Sequence, residues 1–255
     1  MRFAIIGATG LVGSKVAGVL ESAGHEVTGV SRSSGVDVVT GDGLVEALTG
    51  SDVLVDVTNS PSYEDDAVLA FFTAASANLV AATVATGVGH YVALSIVGVE
   101  GLPDSGYMRA KVAQERTITQ SGVPYTIVRA TQFHEFADDI VTSLTVGEEV
   151  RVPDARIQPV AADEVAAFVA EVAQRDPANG IVDIGGPDTL AFAELAGAVL
   201  AARGDTATGV VVDPSARYFG TPLGDTSLVT ILDSATIAPT RFADWLAGRT
   251  PKSRA

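Results

Sequence analysis

The chain has 255 residues, of which 47% are hydrophobic and 18% charged, so it can form a large core and is not a disordered chain. Its net charge of −15 disfavours nucleic acid and anionic membrane surfaces as partners, because both are negatively charged. It contains no cysteine, which excludes disulfide bonds, thiolate catalysis and thiolate metal ligands.

The start of the chain shows no pattern of a secretion signal. Residues 2–6 read as a strand, and no basic segment precedes a long apolar stretch there. Apolar runs elsewhere are expected to be broken by Gly, Asp or Ser before they reach the ~18 residues of a membrane-spanning helix. We therefore expect a cytoplasmic protein that does not associate with membranes.

Short runs rich in β-branched residues alternate with longer alanine-rich stretches along the chain. This alternation predicts a doubly wound, mostly parallel α/β sheet with crossover helices. The predicted strands are 2–6, 26–31, 36–39, 53–57, 90–95, 125–129, 180–184 and 209–213. The predicted helices are 11–23, 43–49, 64–86, 107–121, 132–144, 163–174 and 191–203.

A glycine-rich loop, Gly7-Ala8-Thr9-Gly10-Leu11-Val12-Gly13, follows the first predicted strand and opens the first predicted helix. Glycine at these three positions permits a tight turn, close approach of a pyrophosphate to the backbone, and close packing of helix on strand. The alternative is an ordinary strand-to-helix turn. We predict a dinucleotide-binding domain of the Rossmann type whose cofactor site includes Gly7, Thr9, Gly10, Leu11, Val12 and Gly13.

The end of the second predicted strand indicates which dinucleotide binds. An NAD-binding chain usually places Asp or Glu there, but this chain has Ser31, Arg32 and Ser33. A guanidinium between two hydroxyls suits the 2′-phosphate of NADP(H), because arginine can form two charge-assisted hydrogen bonds to it. The alternative is an exposed arginine in a serine-rich turn. The sequence therefore favours NADP(H), with NAD(H) as the less favoured cofactor.

Small polar residues also follow the strand predicted at 53–57. Side chains at the carboxyl end of such a strand border the ribose of the cofactor, so Thr58, Asn59 and Ser60 are further candidates. The same residues would also suit a plain turn.

Tyr107 and Lys111 are four residues apart and therefore share one face of a predicted helix. A nearby ammonium stabilises phenolate, so we expect a lowered tyrosine pKa and a phenol that can exchange a proton. Ser95, at the end of the preceding strand, could bond to the same carbonyl oxygen. The alternative is a tyrosine that fills the core, with the lysine extended beside it.

The glycine loop, Ser95, Tyr107, Lys111 and the segments 121–133 and 180–187 together resemble the short-chain dehydrogenase/reductase superfamily, and more narrowly its atypical NmrA-like branch of NAD(P)-binding proteins. The resemblance spans nearly the whole chain. It implies that Lys111 holds the nicotinamide ribose, and that Ser95 and Tyr107 polarise and protonate a carbonyl. It also implies that three residues lie beside the nicotinamide: Thr131, Gln132 and Phe133.

Two assignments concern the rest of the molecule. His134 could line a substrate pocket with Tyr107 and Phe133, or could be an ordinary buried histidine. The three histidines lie in different segments, so no metal site is predicted. We expect residues 1–150 to form the NAD(P)-binding Rossmann domain. Residues 151–255 would form a smaller substrate-binding portion that completes the edge of the sheet and covers the site.

The sequence thus predicts an NADP(H)-dependent oxidoreductase that transfers a hydride between nicotinamide and a small carbonyl, quinone or enone compound. The NmrA-like branch also contains redox-sensing regulators without catalytic activity, so a cofactor sensor is the first alternative. A nucleotide-sugar epimerase or dehydratase is the second, although about 100 C-terminal residues leave little room for a nucleotide sugar. The sequence leaves the oligomeric state, monomer or homodimer, open.

Overall fold

The computed structural model of the chain describes residues 1–249, whose central feature is a seven-stranded parallel sheet with helices on both faces. Residues 250–255, the end of the predicted C-terminal portion, lie outside the described residues. The strands are β1 (Arg2–Ile6), β2 (Glu26–Val30), β3 (Val53–Asp56), β4 (His90–Ile96), β5 (Tyr125–Ala130), β6 (Thr145–Val146), β7 (Glu149–Val152), β8 (Arg156–Ile157), β9 (Gly180–Gly185), β10 (Leu190–Ala191), β11 (Gly209–Val212) and β12 (Thr236–Ile237). The helices are α1 (Leu11–Ser22), α2 (Leu44–Leu48), α3 (Asp65–Thr86), α4 (Gly106–Thr119), α5 (Ala137–Ser143), α6 (Ala162–Ala173), α7 (Phe192–Arg203) and α8 (Phe242–Ala247).

The strand order of the main sheet is β12-β9-β5-β4-β3-β1-β2. β1 pairs with β2 on one side and with β3 on the other, so the winding of the chain reverses between β1 and β3. This confirms the predicted doubly wound α/β fold. In such sheets ligands bind outside the carboxyl ends of the strands at the reversal point, where the loops after β1 and β3 lie.

Small and branched apolar side chains pack the helices onto the sheet. Val165, Val169 and Val172 of α6 recur at helical spacing and are buried with residues of α1 and of the strands on one face. On the opposite face, Leu79 of α3 and Ile118 of α4 are buried against other strand residues. Because each buried side chain of this size contributes roughly 1.5–3 kcal/mol, these layers hold the helix ends firmly at the edge of the sheet.

The strand predicted at 36–39 does not form. The Asp37 carboxylate accepts a hydrogen bond from the N–H of Val39 at 2.7 Å, and the Asp37 carbonyl accepts one from the N–H of Gly41 at 2.8 Å. These bonds close a turn that competes with a strand, as aspartate side chains commonly do. The valines in this segment suggested a strand, but β2 is the edge of the sheet instead.

Helix α3 corrects the expectation that apolar runs are too short to cross a membrane. By length and composition alone it could do so, with a mean hydropathy of 1.8 over an 18-residue window. Ser76 and Thr83 do not interrupt it, because their hydroxyls donate to backbone carbonyls one turn earlier at 2.7 Å. In this fold, Val68, Phe72 and Leu79 of the helix are fully buried in the core.

The last third of the chain extends the main sheet and adds a second core beside its carboxyl edge. β9 pairs with β5, and β12 pairs with β9. The second core contains Val150 of β7, Val199 of α7 and Phe242 of α8. The predicted helix at 132–144 is shorter, since α5 follows a 3₁₀ turn at His134–Phe136. The division of the chain near residue 150 stays a prediction.

Candidate cofactor and active site

The glycine loop packs against the segment after β3. Gly7 has a φ of +87°, and an added Cβ would lie 2.8 Å from the carbonyl oxygen of Val57. A Cβ on Gly13 would lie 2.2 Å from the carbonyl oxygen of Gly7, so α1 can start here only with glycine. Both contacts are too short for a real side chain, and they make these two glycines requirements of the loop.

The start of α1 is suited to an anion. Gly10 is the residue before the first helical turn, and no side chain caps that turn. An added Cβ on Gly10 would contact only the carbonyl oxygen of Gly7, at 3.3 Å. The first N–H groups of a helix lack partners within the helix, and together with the helix dipole they attract phosphate. Thr9, Leu11 and Val12 lie in this loop and first turn, as predicted from the sequence.

A buried carboxylate, Asp56, is the last residue of β3 at the reversal point. Asp56 accepts hydrogen bonds from the hydroxyl of Tyr91 at 2.9 Å and from the amide of Gln114 at 2.8 Å. It also accepts bonds from the hydroxyl and the N–H of Thr58, at 2.6 and 3.1 Å. Asp56 therefore links the loop after β3 to α4. Sequence reasoning missed Gln114, although it lies three residues after Lys111 and so on the same helical face.

Lys111 is almost completely buried. Its ammonium donates to the backbone carbonyl of Leu94 at 2.8 Å and to the side-chain oxygen of Gln114, and it lies 4.6 Å from the ring centre of Phe72. Burial lowers the pKa of Lys111 to about 8, against the opposing effects of the carboxylates of Asp56 and Glu115. Lys111 thus joins β4 to the Asp56 network through Gln114.

Tyr107 does not bond to Lys111. Its hydroxyl donates to the side-chain oxygen of Asn59 at 2.9 Å, and the Asn59 amide donates to the hydroxyl of Tyr63 at 3.3 Å. The expected lowering of the Tyr107 pKa is wrong for this arrangement. Burial of the phenol, followed by repulsion from Tyr63, raises the pKa of Tyr107 above its usual value. The phenol therefore keeps its proton at neutral pH and can act as a donor.

The remaining predicted strand-end residues lie at the same edge. Ser60 is buried, and its hydroxyl accepts a bond from the N–H of Ser62 at 3.2 Å. Arg129 of β5, paired in register with Ser95, forms two hydrogen bonds to Glu115 of α4 at 2.9 and 2.5 Å. This ion pair fixes the position of α4 along the neighbouring strands, and it therefore also fixes the position of Tyr107.

His134 is the most deeply buried of the predicted substrate-pocket residues. Its ring is fully buried, 5.2 Å from the ring centre of Phe242 and 5.3 Å from that of Trp245. Burial also lowers the pKa of His134. Helix α8 covers one side of the ring, and the assignment of His134 to the substrate pocket stays a prediction. Its neighbour Phe133 is only half-buried and stacks on Phe136 at 5.4 Å.

Comparison of the whole sequence with protein families agrees with this geometry. Residues 7–176 match a family described as NAD(P)H-binding. This chain belongs to that NAD(P)H-binding family. The matched region begins at the glycine loop and includes Tyr107, Lys111 and Phe133.

A curated relative gives a more specific comparison. The chain is 36% identical over 144 residues to (4-alkanoyl-5-oxo-2,5-dihydrofuran-3-yl)methyl phosphate reductase from Streptomyces griseus. The match covers 51% of this chain and 47% of the relative, so it spans about half the length of that protein.

Solved structures establish the fold. The chain superposes on dTDP-glucose 4,6-dehydratase (DesIV) from Streptomyces venezuelae with a TM-score of 0.73 and 17% identity, covering 97% of this chain and 96% of that one. A short-chain dehydrogenase/reductase superfamily protein from Agrobacterium tumefaciens, solved with NAD, gives a TM-score of 0.65 and 17% identity, covering 84% and 85%. These likenesses show the fold that the superfamily resemblance implied, while membership of the superfamily and of its NmrA-like branch stays a prediction.

In this NAD(P)H-binding protein, several buried polar atoms fit a bound cofactor and substrate. The hydroxyls of Ser95 and Thr131 and the amide nitrogen of Gln132 have no hydrogen-bond partner among residues 1–249. All three follow or end β4 and β5 at the carboxyl edge. Buried polar groups in native proteins are nearly always paired, so these atoms are suited to partners supplied by ligands.

The turn after β2 presents Arg32 to solvent. Ser31 and Ser34 close a 3₁₀ turn over Arg32–Ser34 through hydrogen bonds of 3.0 and 2.7 Å. The Arg32 side chain is exposed and forms no ion pair within the described chain. The side chain of Ser33, also assigned to the cofactor, lies outside what the structure describes. No group of three or more metal-binding side chains occurs in residues 1–249.

Proposed function

We propose that this protein is an NADP(H)-dependent reductase of a small carbonyl, quinone or enone compound. One observation carries the proposal: the protonated phenol of Tyr107 donates to the amide oxygen of Asn59 at the sheet edge that holds the glycine loop. A substrate carbonyl oxygen is chemically equivalent to that amide oxygen and could replace it. The chain belongs to an NAD(P)H-binding family, and NAD(P)H is the hydride donor that such a reaction needs.

The reaction divides between cofactor and protein. NADPH, when bound, supplies a hydride to the carbonyl carbon or to the β carbon of an enone. The π electron pair of the carbonyl then moves onto oxygen, which takes the proton of Tyr107, and solvent returns a proton to the phenolate. The raised pKa of Tyr107 keeps the phenol protonated at neutral pH, so the proton is present when the reaction begins. We assign Ser95 to the same oxygen and Lys111 to the nicotinamide ribose.

The type of substrate is inferred from the curated relative. That relative is named as a reductase of an alkanoyl-oxo-dihydrofuran phosphate, an unsaturated lactone with an added acyl carbonyl. From this relative we take only the class of reaction, which is the reduction of a conjugated carbonyl compound by a nicotinamide cofactor. The test is NADPH oxidation by the purified protein with a panel of enones, quinones, aldehydes and ketones. Tight NADP(H) binding without turnover of any of them would instead identify a cofactor sensor.

We base a preference for NADPH over NADH on Arg32, in the turn after β2. Arg32→Ala should weaken NADPH binding about 10- to 100-fold and leave NADH binding nearly unchanged. The reason is that one charge-assisted contact to the 2′-phosphate contributes ~1.5–3 kcal/mol. Calorimetry with both cofactors measures this, and Arg116→Ala, which removes an exposed arginine on α4, is the matched control. Equal affinity of the unmodified protein for NADPH and NADH would refute the assignment.

The Asp56 network should set the charge of Lys111. Asp56→Asn removes the larger of the two effects that raise the lysine pKa, so that pKa should fall below its value of about 8. The lysine would then lose its proton at a lower pH, and NADPH affinity should decline at a correspondingly lower pH. Nuclear magnetic resonance of ¹³C-labelled lysine measures this directly, because the chain has only three lysines.

A matched control for this experiment is Asp66→Asn, which removes an exposed carboxylate in the first turn of α3. Its Lys111 titration should match that of the unmodified protein. If Asp56→Asn leaves the titration of Lys111 unchanged, the two groups are not coupled and the network has only a structural role.

A further inference from the structure

A hydrogen bond from the C-terminal portion fixes the orientation of one amide at the end of β5. The hydroxyl of Tyr218 donates to the side-chain oxygen of Gln132 at 2.6 Å. Both side chains are buried, with exposed fractions of 3% for Tyr218 and 9% for Gln132. Because this bond fixes the orientation of the Gln132 amide, its nitrogen, which is a hydrogen-bond donor, is directed away from Tyr218 and can be offered to a ligand.

That nitrogen has no hydrogen-bond partner among the described residues. Thr221, which pairs with Tyr218 in a two-residue bridge, also has a buried hydroxyl without a partner there. Leaving a buried donor unpaired is costly, and native proteins rarely do so. Two such groups beside one tyrosine therefore indicate a place where an acceptor atom of a ligand binds.

This place borders the hydrophobic cluster against which the phenol assigned to proton donation packs. Tyr107 and Tyr218 belong to the same hydrophobic cluster, although they are 111 positions apart in the sequence. Burial raises the pKa of Tyr218, and the charge of a neighbouring Tyr107 phenolate would raise it further. The shared cluster and this electrostatic interaction are the observations that link the Gln132 amide to a substrate bonded to Tyr107.

We propose that the Gln132 amide, held by Tyr218, binds a second oxygen of the substrate. The preferred substrates are then conjugated carbonyl compounds that carry another carbonyl group, such as acyl enones and acyl lactones. A neutral acceptor is favoured because no ionised side chain bonds to Gln132 or Tyr218 within residues 1–249. This inference rests on the proposed reductase function and specifies its substrate class.

The experiment compares cyclohex-2-enone with 2-acetylcyclohex-2-enone, which differ by one acetyl group, using NADPH as the reductant. Gln132→Leu, of similar volume, should lower kcat/KM for the acetyl compound about 10- to 100-fold more than for the parent enone. Tyr218→Phe, which frees the amide to rotate, should show the same selectivity with a smaller loss. Gln120→Leu, at the exposed end of α4, is the control and should affect neither compound.

Equal losses with both compounds would overturn the proposal, because a purely structural role cannot distinguish them. If circular dichroism shows that Gln132→Leu does not fold, the two compounds are compared with Tyr218→Phe instead. Calorimetry of both compounds with the NADP⁺-bound protein gives a readout that does not need turnover. Tighter binding of the acetyl compound, lost in the variant, would support the site even if the reductase proposal failed. Equal binding of both compounds by the unmodified protein would overturn the site.

Discussion

Tyr107→Phe should lower kcat for NADPH-dependent reduction by about 10²- to 10⁴-fold while leaving NADPH affinity nearly unchanged. The substitution removes only the hydroxyl that donates the proton and that bonds to Asn59 at 2.9 Å. The ring remains to contact Phe72, whose centre is 5.9 Å away, so the fold should be retained. Steady-state kinetics with the best substrate from the panel, together with calorimetric NADPH binding, measure the two effects separately.

Tyr63→Phe is the matched control for this prediction. Tyr63 also bonds to Asn59, but its side chain is exposed and lies in the loop before α3. We expect its turnover to stay within a few-fold of the unmodified protein. If turnover survives in Tyr107→Phe, the proton comes from water or another group, and the assignment of Tyr107 is wrong although the reaction class stands.

Gly13→Ala should weaken NADP(H) binding by at least about 100-fold. The new Cβ would lie 2.2 Å from the carbonyl oxygen of Gly7, so either α1 or the loop must move by about 1 Å. A displacement of this size moves the helix N–H groups out of position for the pyrophosphate, and misplacements of about 1 Å commonly cost 10²-fold. Calorimetry measures the affinity, and circular dichroism shows whether the sheet remains folded.

Gly18→Ala, on the same helix, is the matched control because a Cβ there meets nothing within 4 Å. It should bind NADP(H) normally and raise the unfolding free energy by roughly 0.5–1 kcal/mol, since alanine favours helix more than glycine does. If Gly13→Ala folds and binds NADPH as tightly as Gly18→Ala, the cofactor does not lie on this loop.

Lys111 and Tyr107 do not form a pair in which the lysine ammonium lowers the pKa of the tyrosine. Lys111 is turned inward to Leu94 and Gln114, and its nearest carboxylate network is centred on Asp56. Tyr107 is turned toward Asn59 and keeps its proton. Loss of activity at alkaline pH should therefore follow the lysine, whose pKa is about 8, rather than the tyrosine.

Local features of the sequence were sufficient to predict the fold and the elements that carry the candidate site residues. The glycine loop could be identified because steric limits on a strand-to-helix turn are local and require glycine at Gly7 and Gly13. The parallel sheet could be predicted because apolar periodicity reflects which faces are buried. The spacing of Tyr107 and Lys111 correctly placed both residues on one helix, α4.

What the sequence could not determine depends on contacts between distant segments. The partner of Tyr107 is Asn59, 48 positions earlier, and the Gln132 amide is held by Tyr218, 86 positions later. His134 is covered by α8, which lies far along the chain. Side-chain orientation, burial and pKa follow from such neighbours, and no local pattern encodes them. The tertiary structure alone therefore decided which hydroxyls and amides face the site and which are held within the protein.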